Sequence, residues 1–254
     1  MNSVDVSMRH EVILQRLRQG ERVAVGTLAE IVGCSEMTVR RDLDVLEREG
    51  LLRRVRGAAV STLTGEETPF AARAKQRLEV KRRIGAAVAG LLDDGETVVL
   101  DGGSTVLEVA RRLVDRRLTV LPLSLHVADA LRTANQVRMV LPGGDVRPGE
   151  LAFVGPLTEH AFDVMRFDTA VLGACGFSAR TGLSAHDLGE GAVKSAAVDA
   201  SARVVVAIDS TKFGRTAFSR VGPVERVDVV VTDEAAPEEE VARLRDAGVE
   251  VRLV

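Results

Sequence analysis

From Glu96 to the last residue, short apolar runs alternate with stretches of helical character, and few architectures tolerate that alternation. The runs are TVVL, LTVLPL, VRMVL, TAVLGA, RVVVAI, DVVVTD and VEVRLV. Between them lie TVLEVARRL, SLHVADALRTA, GEGAVKSAAVDAS and EEEVARLRDA. Strands that alternate with helices in this way belong to a mainly parallel sheet covered by helices. The expected fold class of this part is therefore α/β.

The first fifty-odd residues carry a different pattern. RHEVILQRLRQG places Val12, Ile13 and Leu17 on one side and stops at Gly20. VGTLAEIVG is a short second helix with Thr27 as its N-cap, broken by Gly33. CSEMTVRRDLDVLEREG is a third helix, capped by Ser35, with Glu36 in its first turn and Gly50 at its end. LLRRVRGAAV follows as an extended or hairpin segment. STLTGEETPF has turn residues without a period and reads as a linker, after which AARAKQRLEVKRRIGAAVAGLL is helical. The expected organisation is a head over residues 1–58, a linker over 59–80 and a body over 81–254.

Composition narrows what the head can do. The chain has no Trp and no Tyr, so nucleic-acid binding must lean on Arg rather than on stacking. Residues 1–83 carry a net charge of +4 and the remainder −7, a basic head on an acidic body. No apolar run is long enough to span a membrane, and the N-terminus lacks a signal peptide's apolar segment, so a cytoplasmic location is expected. Cys34 and Cys175 stand far apart, and His10, His126, His160 and His186 are scattered without ligand spacing. Neither a metal nor a cofactor is expected.

On the third helix, Val39, Leu43 and Leu46 share a face that packs inward. Met37 and Arg41 point the other way, flanked by Thr38 and Arg40, while Asp42, Asp44, Glu47 and Glu49 load the second half. Only the N-terminal half suits a phosphate backbone, which is how a recognition helix enters a groove. Arg53, Arg54 and Arg56 follow closely enough to grip phosphates as a wing. The candidate DNA-binding residues are thus Ser35, Met37, Thr38, Arg40, Arg41, Arg53, Arg54 and Arg56.

In the body, Asp101-Gly102-Gly103-Ser104-Thr105 joins an apolar run to a helix. Glycines let backbone N–H groups face a ligand, and the hydroxyls add donors, so this turn is a candidate phosphate cradle. Gly143 and Gly144, and the stretch containing Gly176, are further glycine-rich turns that an open α/β sheet would gather at its strand ends. Asp209 and Lys212 follow another run, and Lys194 lies early in the helix before it. Lysines near glycine turns suit a phosphorylated anion.

The stretch SEMTVRRDLDVLEREGLLRR closely resembles the winged helix-turn-helix of the DeoR family of bacterial transcription regulators. Arg56-Gly57-Ala58 stands where that family usually has His-Gly-Gly. From about residue 75 onward the chain also resembles the family's sensor domain, with Pro122-Leu123-Ser124 in place of Thr-Asn-Ser. The resemblance implies a body similar in fold to ribose-5-phosphate isomerase, a phosphorylated sugar or related metabolite as effector, and Ser124 among its contacts. It also implies an operator in double-stranded DNA as partner, and a head that works within a homo-oligomer.

Comparison with the isomerases separates sensing from turnover. Their Asp-Gly-Ala-Asp-Glu loop aligns with Leu172-Gly173-Ala174-Cys175-Gly176, which has no carboxylate. Their Glu-Lys pair aligns with Val193-Lys194, and their active-site Lys falls near Ser184. Without a base to move the proton, the frame holds a phosphate and does not isomerise it. The expected function is a DNA-binding regulator of carbohydrate genes, a repressor, with no catalytic residues. Two alternatives stand beside it: a sugar-phosphate isomerase with an appended nucleic-acid module, using Asp187 or Glu190, and a DNA-binding protein whose body serves only oligomerisation.

Overall fold

A computed structural model describes residues 6–19, 22–48, 52–61 and 69–254. In the head, α1 (Val6–Gln19), β1 (Val23–Ala24), α2 (Val25–Val32) and α3 (Glu36–Arg48) precede a hairpin of β2 (Leu52–Val55) and β3 (Ala58–Ser61). The expected stops at Gly20 and Gly50, Glu49 and residues 62–68 of the expected linker lie outside the described residues.

Apolar spacing builds the head. Ile13 and Leu17 of α1, Leu28 of α2 and Val39, Leu43 and Leu46 of α3 form one buried cluster. Ser35 caps α3 as expected, its Oγ accepting the Thr38 N–H at 3.2 Å. Thr27 does not cap α2. That helix begins at Val25, because extended Ala24 leads directly out of β1 and the Val25 N–H is taken by the Gly57 carbonyl at 3.2 Å. Asp42 is also not on the solvated acidic surface that its spacing suggests. It is buried, and its carboxylate takes Arg9 Nε at 2.5 Å, Arg9 Nη2 at 2.9 Å and His10 Nε2 at 3.2 Å, so it clamps α3 to α1.

Two helices, α4 (Phe70–Lys75) and α5 (Leu78–Ala89), join head to body. The expected single helical stretch is broken at Arg77, whose φ of 52° is left-handed. Such a backbone is strained for a residue with a Cβ and needs anchoring. Arg77 is anchored: its guanidinium donates to Ser210 Oγ at 2.7 Å and Asp233 Oδ2 at 2.7 Å.

The body runs β4 (Thr97–Leu100), α6 (Ser104–Ala110), β5 (Thr119–Pro122), α7 (Leu125–Leu131), β6 (Arg138–Met139), β7 (Asp145–Arg147), β8 (Ala152–Val154), α8 (Pro156–Val164) and β9 (Phe167–Leu172). It continues with β10 (Gly176–Ser178), β11 (Gly182–Ala185), α9 (Leu188–Asp199), β12 (Ser201–Ala207), β13 (Ser219–Gly222), β14 (Val229–Thr232), α10 (Glu238–Asp246) and β15 (Glu250–Leu253). Among the described residues, one sheet of seven strands has the order β15-β14-β12-β9-β4-β5-β6, and every pairing in it is parallel. Its seven strands coincide with the seven apolar runs. Successive residues face opposite layers. Val99, Leu121, Ala170, Val206 and Val230 enter one core, whereas Val98, Val120, Val171, Val205 and Val231 enter the other.

Asp42 sets the pH behaviour of the head. Burial raises its pKa, but the hydrogen bonds from Arg9 and His10 outweigh this and hold the carboxyl below its ordinary value of 3.8. A carboxyl lowered in the folded state stabilises fully above the unfolded pKa, and that contribution is lost as pH falls through the folded value. Asp42→Ala should cost about 3 kcal/mol at pH 7 by removing the buried carboxylate that Arg9 and His10 meet. Urea unfolding followed by circular dichroism should show this gap, and the gap should close below pH 3.8.

Candidate functional site

β12, β9 and β4 are consecutive neighbours in the middle of the sheet, and one pocket opens at their C-terminal ends. Such strand ends are where an open parallel sheet presents turns to a ligand. Asp101, Gly102, Gly103, Ser104 and Thr105 line it after β4. Asp209 and Lys212 line it after β12, and Lys194 reaches it from α9. These eight sequence-predicted residues are brought together.

Asp101 organises the floor. It is 3% exposed, and all of its capacity is spent inside the protein. One oxygen accepts the Gly102 N–H at 2.7 Å; the other accepts the Gly173 N–H at 2.9 Å and faces Lys194 Nζ at 2.9 Å. Asp101 therefore holds the turn in place instead of reaching outward. Burial alone would lower the Lys194 pKa, but the charge and hydrogen bond of Asp101 together with the charges of Cys175 and Glu190 outweigh it and keep the ammonium protonated. No side chain caps α6, so its first N–H groups, which have no acceptor within the helix, belong to the pocket wall formed by Gly103 to Thr105.

Four expected contacts lie elsewhere. Ser124 is fully buried and caps α7, its Oγ accepting the Val127 N–H at 3.2 Å, and it packs behind Gly102. Gly143 and Gly144 have φ of 76° and 98° and turn against α8, where Thr158 Oγ1 donates to the Gly143 carbonyl at 2.7 Å. Gly176 lies in β10, where a Cβ would come within 2.5 Å of the Arg215 carbonyl oxygen. Gly144 and Gly176 serve close packing and Gly143 a left-handed turn, and none of the four lines the pocket.

The joining segment is the unexpected wall. Arg73, Gln76, Arg77 and Lys81 all line the pocket. Arg73 pairs with Glu150, and Arg77 pairs with Asp209 at 3.3 Å. Lys81 is 4% exposed, and its Nζ donates to the Arg73 carbonyl. The sequence signal was the basic run in RAKQRLEVKRR, which has no meaning for a pocket until the segment folds over the strand ends. Burial lowers the pKa of both Lys81 and Lys212, in each case against the pull of Asp209.

In the head, Ser35, Met37, Arg40 and Arg41 are exposed on the N-terminal half of α3, Met37 at 61%, with Thr38 half-buried beside them. Arg40 is drawn back to Glu36 at 3.1 Å, whereas Arg41 makes no ion pair among the described residues. Arg56 is exposed at the hairpin turn. Arg54 pairs with Asp44, and its N–H donates to Glu47 Oε1 at 2.7 Å, so it braces the acidic end of α3. Arg53 lines a groove between head and body, where Arg180 Nη1 donates to the Glu47 carbonyl at 3.0 Å.

Two family descriptions match the chain: the DeoR-like helix-turn-helix domain over residues 9–64 and the DeoR C terminal sensor domain over residues 76–234. The chain belongs to the DeoR family. It is 36% identical over 228 residues to the transcriptional repressor AccR of Agrobacterium fabrum, spanning 89% of this chain and 88% of that one. It is 30% identical over 248 residues to the glycerol-3-phosphate regulon repressor of Escherichia coli K12, spanning 97% and 98%. The structure of ribose 5-phosphate isomerase A from Methanocaldococcus jannaschii overlaps 54% of this chain and 55% of its own with a TM-score of 0.42 at 17% identity.

Both departures from the DeoR pattern have a physical resolution. Gly57 alone supplies the turn with a φ of 71°, and Ala58 takes a buried strand position. Pro122 and Leu123 are buried at the end of β5, and the Leu123 backbone carries the pairing by bonding Leu100 and Phe153.

The lowered lysines predict a pH signature. A small oxyanion such as inorganic phosphate that needs both ammonium groups should lose affinity as pH rises through values below the ordinary lysine pKa of 10.5. Lys212→Arg keeps its charge throughout and should hold affinity further into alkali. Calorimetric titration between about pH 7 and pH 10 checks this against the ordinary lysine scale; an identical profile in the variant would remove Lys212 from the site.

Proposed function

We propose that this chain is a transcriptional repressor of carbohydrate genes whose hold on operator DNA is set by a phosphorylated sugar in the body pocket. One observation carries the reading: the pocket's cation-bearing wall is built in part from the segment that joins the DNA-binding head to the body. A ligand there can favour one arrangement of the head over another, which is what linkage requires. The named relatives support the reading, since both are repressors and one belongs to a glycerol-3-phosphate regulon.

In this reading Met37, Thr38 and Arg41 meet base edges, Ser35 and Arg40 sit at the same end of α3, and Arg56 works along the backbone, with Arg53 and Arg54 beside it on the hairpin. Ser104, Thr105 and the glycine amides hold the phosphate, with Lys212 as counter-charge. One head reads one half-site, so the working form is a homo-oligomer in the cytoplasm.

The pocket is ill-suited to isomerisation. Proton transfer needs a carboxylate or similar base free to act. Asp101 is committed to Lys194, and Arg147 Nη1 donates to Glu190 at 2.7 Å while its Nε lies 3.5 Å from Asp187. Asp187 also caps α9 by accepting the Glu190 N–H at 3.0 Å. These carboxylates hold the frame together.

The deciding experiment is fluorescence anisotropy on labelled DNA from upstream of the chain's own gene, at stated salt, with sugar phosphates and their free sugars. One phosphate should shift DNA affinity and its free sugar should not; a response to no phosphate, or turnover of one, would sink the reading. Arg41→Ala should weaken operator binding by about tenfold or more, as loss of a base contact does, with sugar-phosphate binding unchanged. Full affinity in that variant would remove Arg41 from the interface.

A further inference from the structure

The charges around the pocket are almost all accounted for. Five cationic side chains and four carboxylates line it. Lys194 is matched by Asp101, Arg73 by Glu150 and Arg77 by Asp209, while Glu190 is held by Arg147 from outside. Lys81 and Lys212 remain, and neither makes an ion pair among the described residues. Lys81 is buried and Lys212 half-buried, and for each the loss of water outweighs the attraction of Asp209. Both line the same pocket, and there the Lys212 charge acts unfavourably on Lys81. Two ammonium groups that line one pocket, one buried and one half-buried, are stabilised by a doubly negative ligand placed between them and much less by a singly negative one.

Lys81 has a second relation. Its Nζ donates to the carbonyl of Arg73, in the last turn of α4, a carbonyl that also accepts the Gln76 N–H at 3.2 Å. Phe70, stacked on His126 with ring centroids 3.9 Å apart, and the Arg73–Glu150 pair also hold α4. Arg77, four residues before Lys81, is locked to the strand end at Ser210 and Asp233. The Lys81 side chain is thus a contact, beside the Arg73–Glu150 pair, through which the pocket's charge touches the end of α4.

We propose that Lys81 and Lys212 together bind the dianionic phosphate of a phosphomonoester, and that Lys81 leaves the Arg73 carbonyl to do so, so that the joining segment itself reads the ligand. This rests on the reading of the chain as an effector-controlled regulator. It adds the residue that converts occupancy into a change at α4. The exchange replaces one neutral acceptor by a charged one, the stronger partner for an ammonium group. It leaves the end of α4 with one restraint fewer on the path back to the head.

The test uses the full chain, with inorganic phosphate at pH 8 as the dianion and dimethyl phosphate as the monoanion. Calorimetry should show phosphate bound and dimethyl phosphate at least about tenfold weaker, a difference of 1.4 kcal/mol. Lys81→Gln and Lys212→Gln should each weaken phosphate by about tenfold, while Lys81→Arg stays within threefold of the parent. Hydrogen exchange on the unsubstituted chain should show faster exchange at residues 70–77 when phosphate is saturating, a readout that needs no variant to fold. If phosphate protects residues 101–105, yet Lys81→Gln binds it equally or exchange at 70–77 is unchanged, the hinge assignment falls and the anion reading survives. If neither phosphate nor any phosphomonoester binds the unsubstituted chain, the anion reading falls and takes this proposal with it.

Discussion

The buried contact between Asp101 and Lys194 is the constraint around which the body is arranged. Its 2.9 Å separation joins the end of β4 to α9, and the same carboxylate ties down the backbone after β9 through Gly173. Two charges taken out of water repay their desolvation only when their remaining bonds are satisfied. Here they are, because Asp101 also receives the Gly102 N–H and Lys194 points its ammonium toward the Gly173 carbonyl at 3.4 Å. Three pieces of chain that are far apart in sequence are thereby held at one point, and the turn Gly102 to Thr105 has a fixed shape before any ligand arrives.

That rigidity gives the joining segment something to work against. A pocket that deformed on binding would absorb a ligand's interaction energy locally. A fixed floor with a separately attached wall directs it into the wall. The wall is α4 and the start of α5, pinned by the strained residue Arg77 to Ser210 and Asp233. The loop that follows β12 carries this anchor and also supplies Thr211 to both the pocket and the groove between head and body. Arg180 meets the last turn of α3 in that groove. The ligand pocket and the end of α3 are thus linked through the loop after β12 and the turn between β10 and β11.

How much of this was legible depended on how local the cause was. Strands TVVL and RVVVAI announce themselves because burial on both faces demands continuous apolar residues, and their order along the chain does not matter to that demand. The recognition helix is legible for a similar reason, since Val39, Leu43 and Leu46 must share a face whatever they pack on. The strands β10, β11 and β13 are not legible. Their residues GFS, GLSA and SRVG are small, and they pair because backbones approach closely, as at Gly182, where a Cβ would sit 2.1 Å from the Gly222 carbonyl oxygen. That signal exists only once the chain is folded. The helix α8 went unread too, although Pro156 at its start is a recognised opening.

The same distinction explains the candidate site. The cradle was legible because glycines, hydroxyls and a helix start are consecutive there. Gly143, Gly144 and Gly176 have the same local look, yet their glycines answer to Thr158 and Arg215 across the fold. Local chemistry can say that a backbone must turn or approach something, and it cannot say whether the something is a ligand or the protein itself. Arg73, Arg77 and Lys81 present the converse case. In sequence they are basic residues on a polar connector, and their chemistry arises from where that connector lies. A ligand site that must also move a neighbouring domain is bound to recruit such residues. Those that sit wholly within the rigid body can hold the ligand, but they cannot report it.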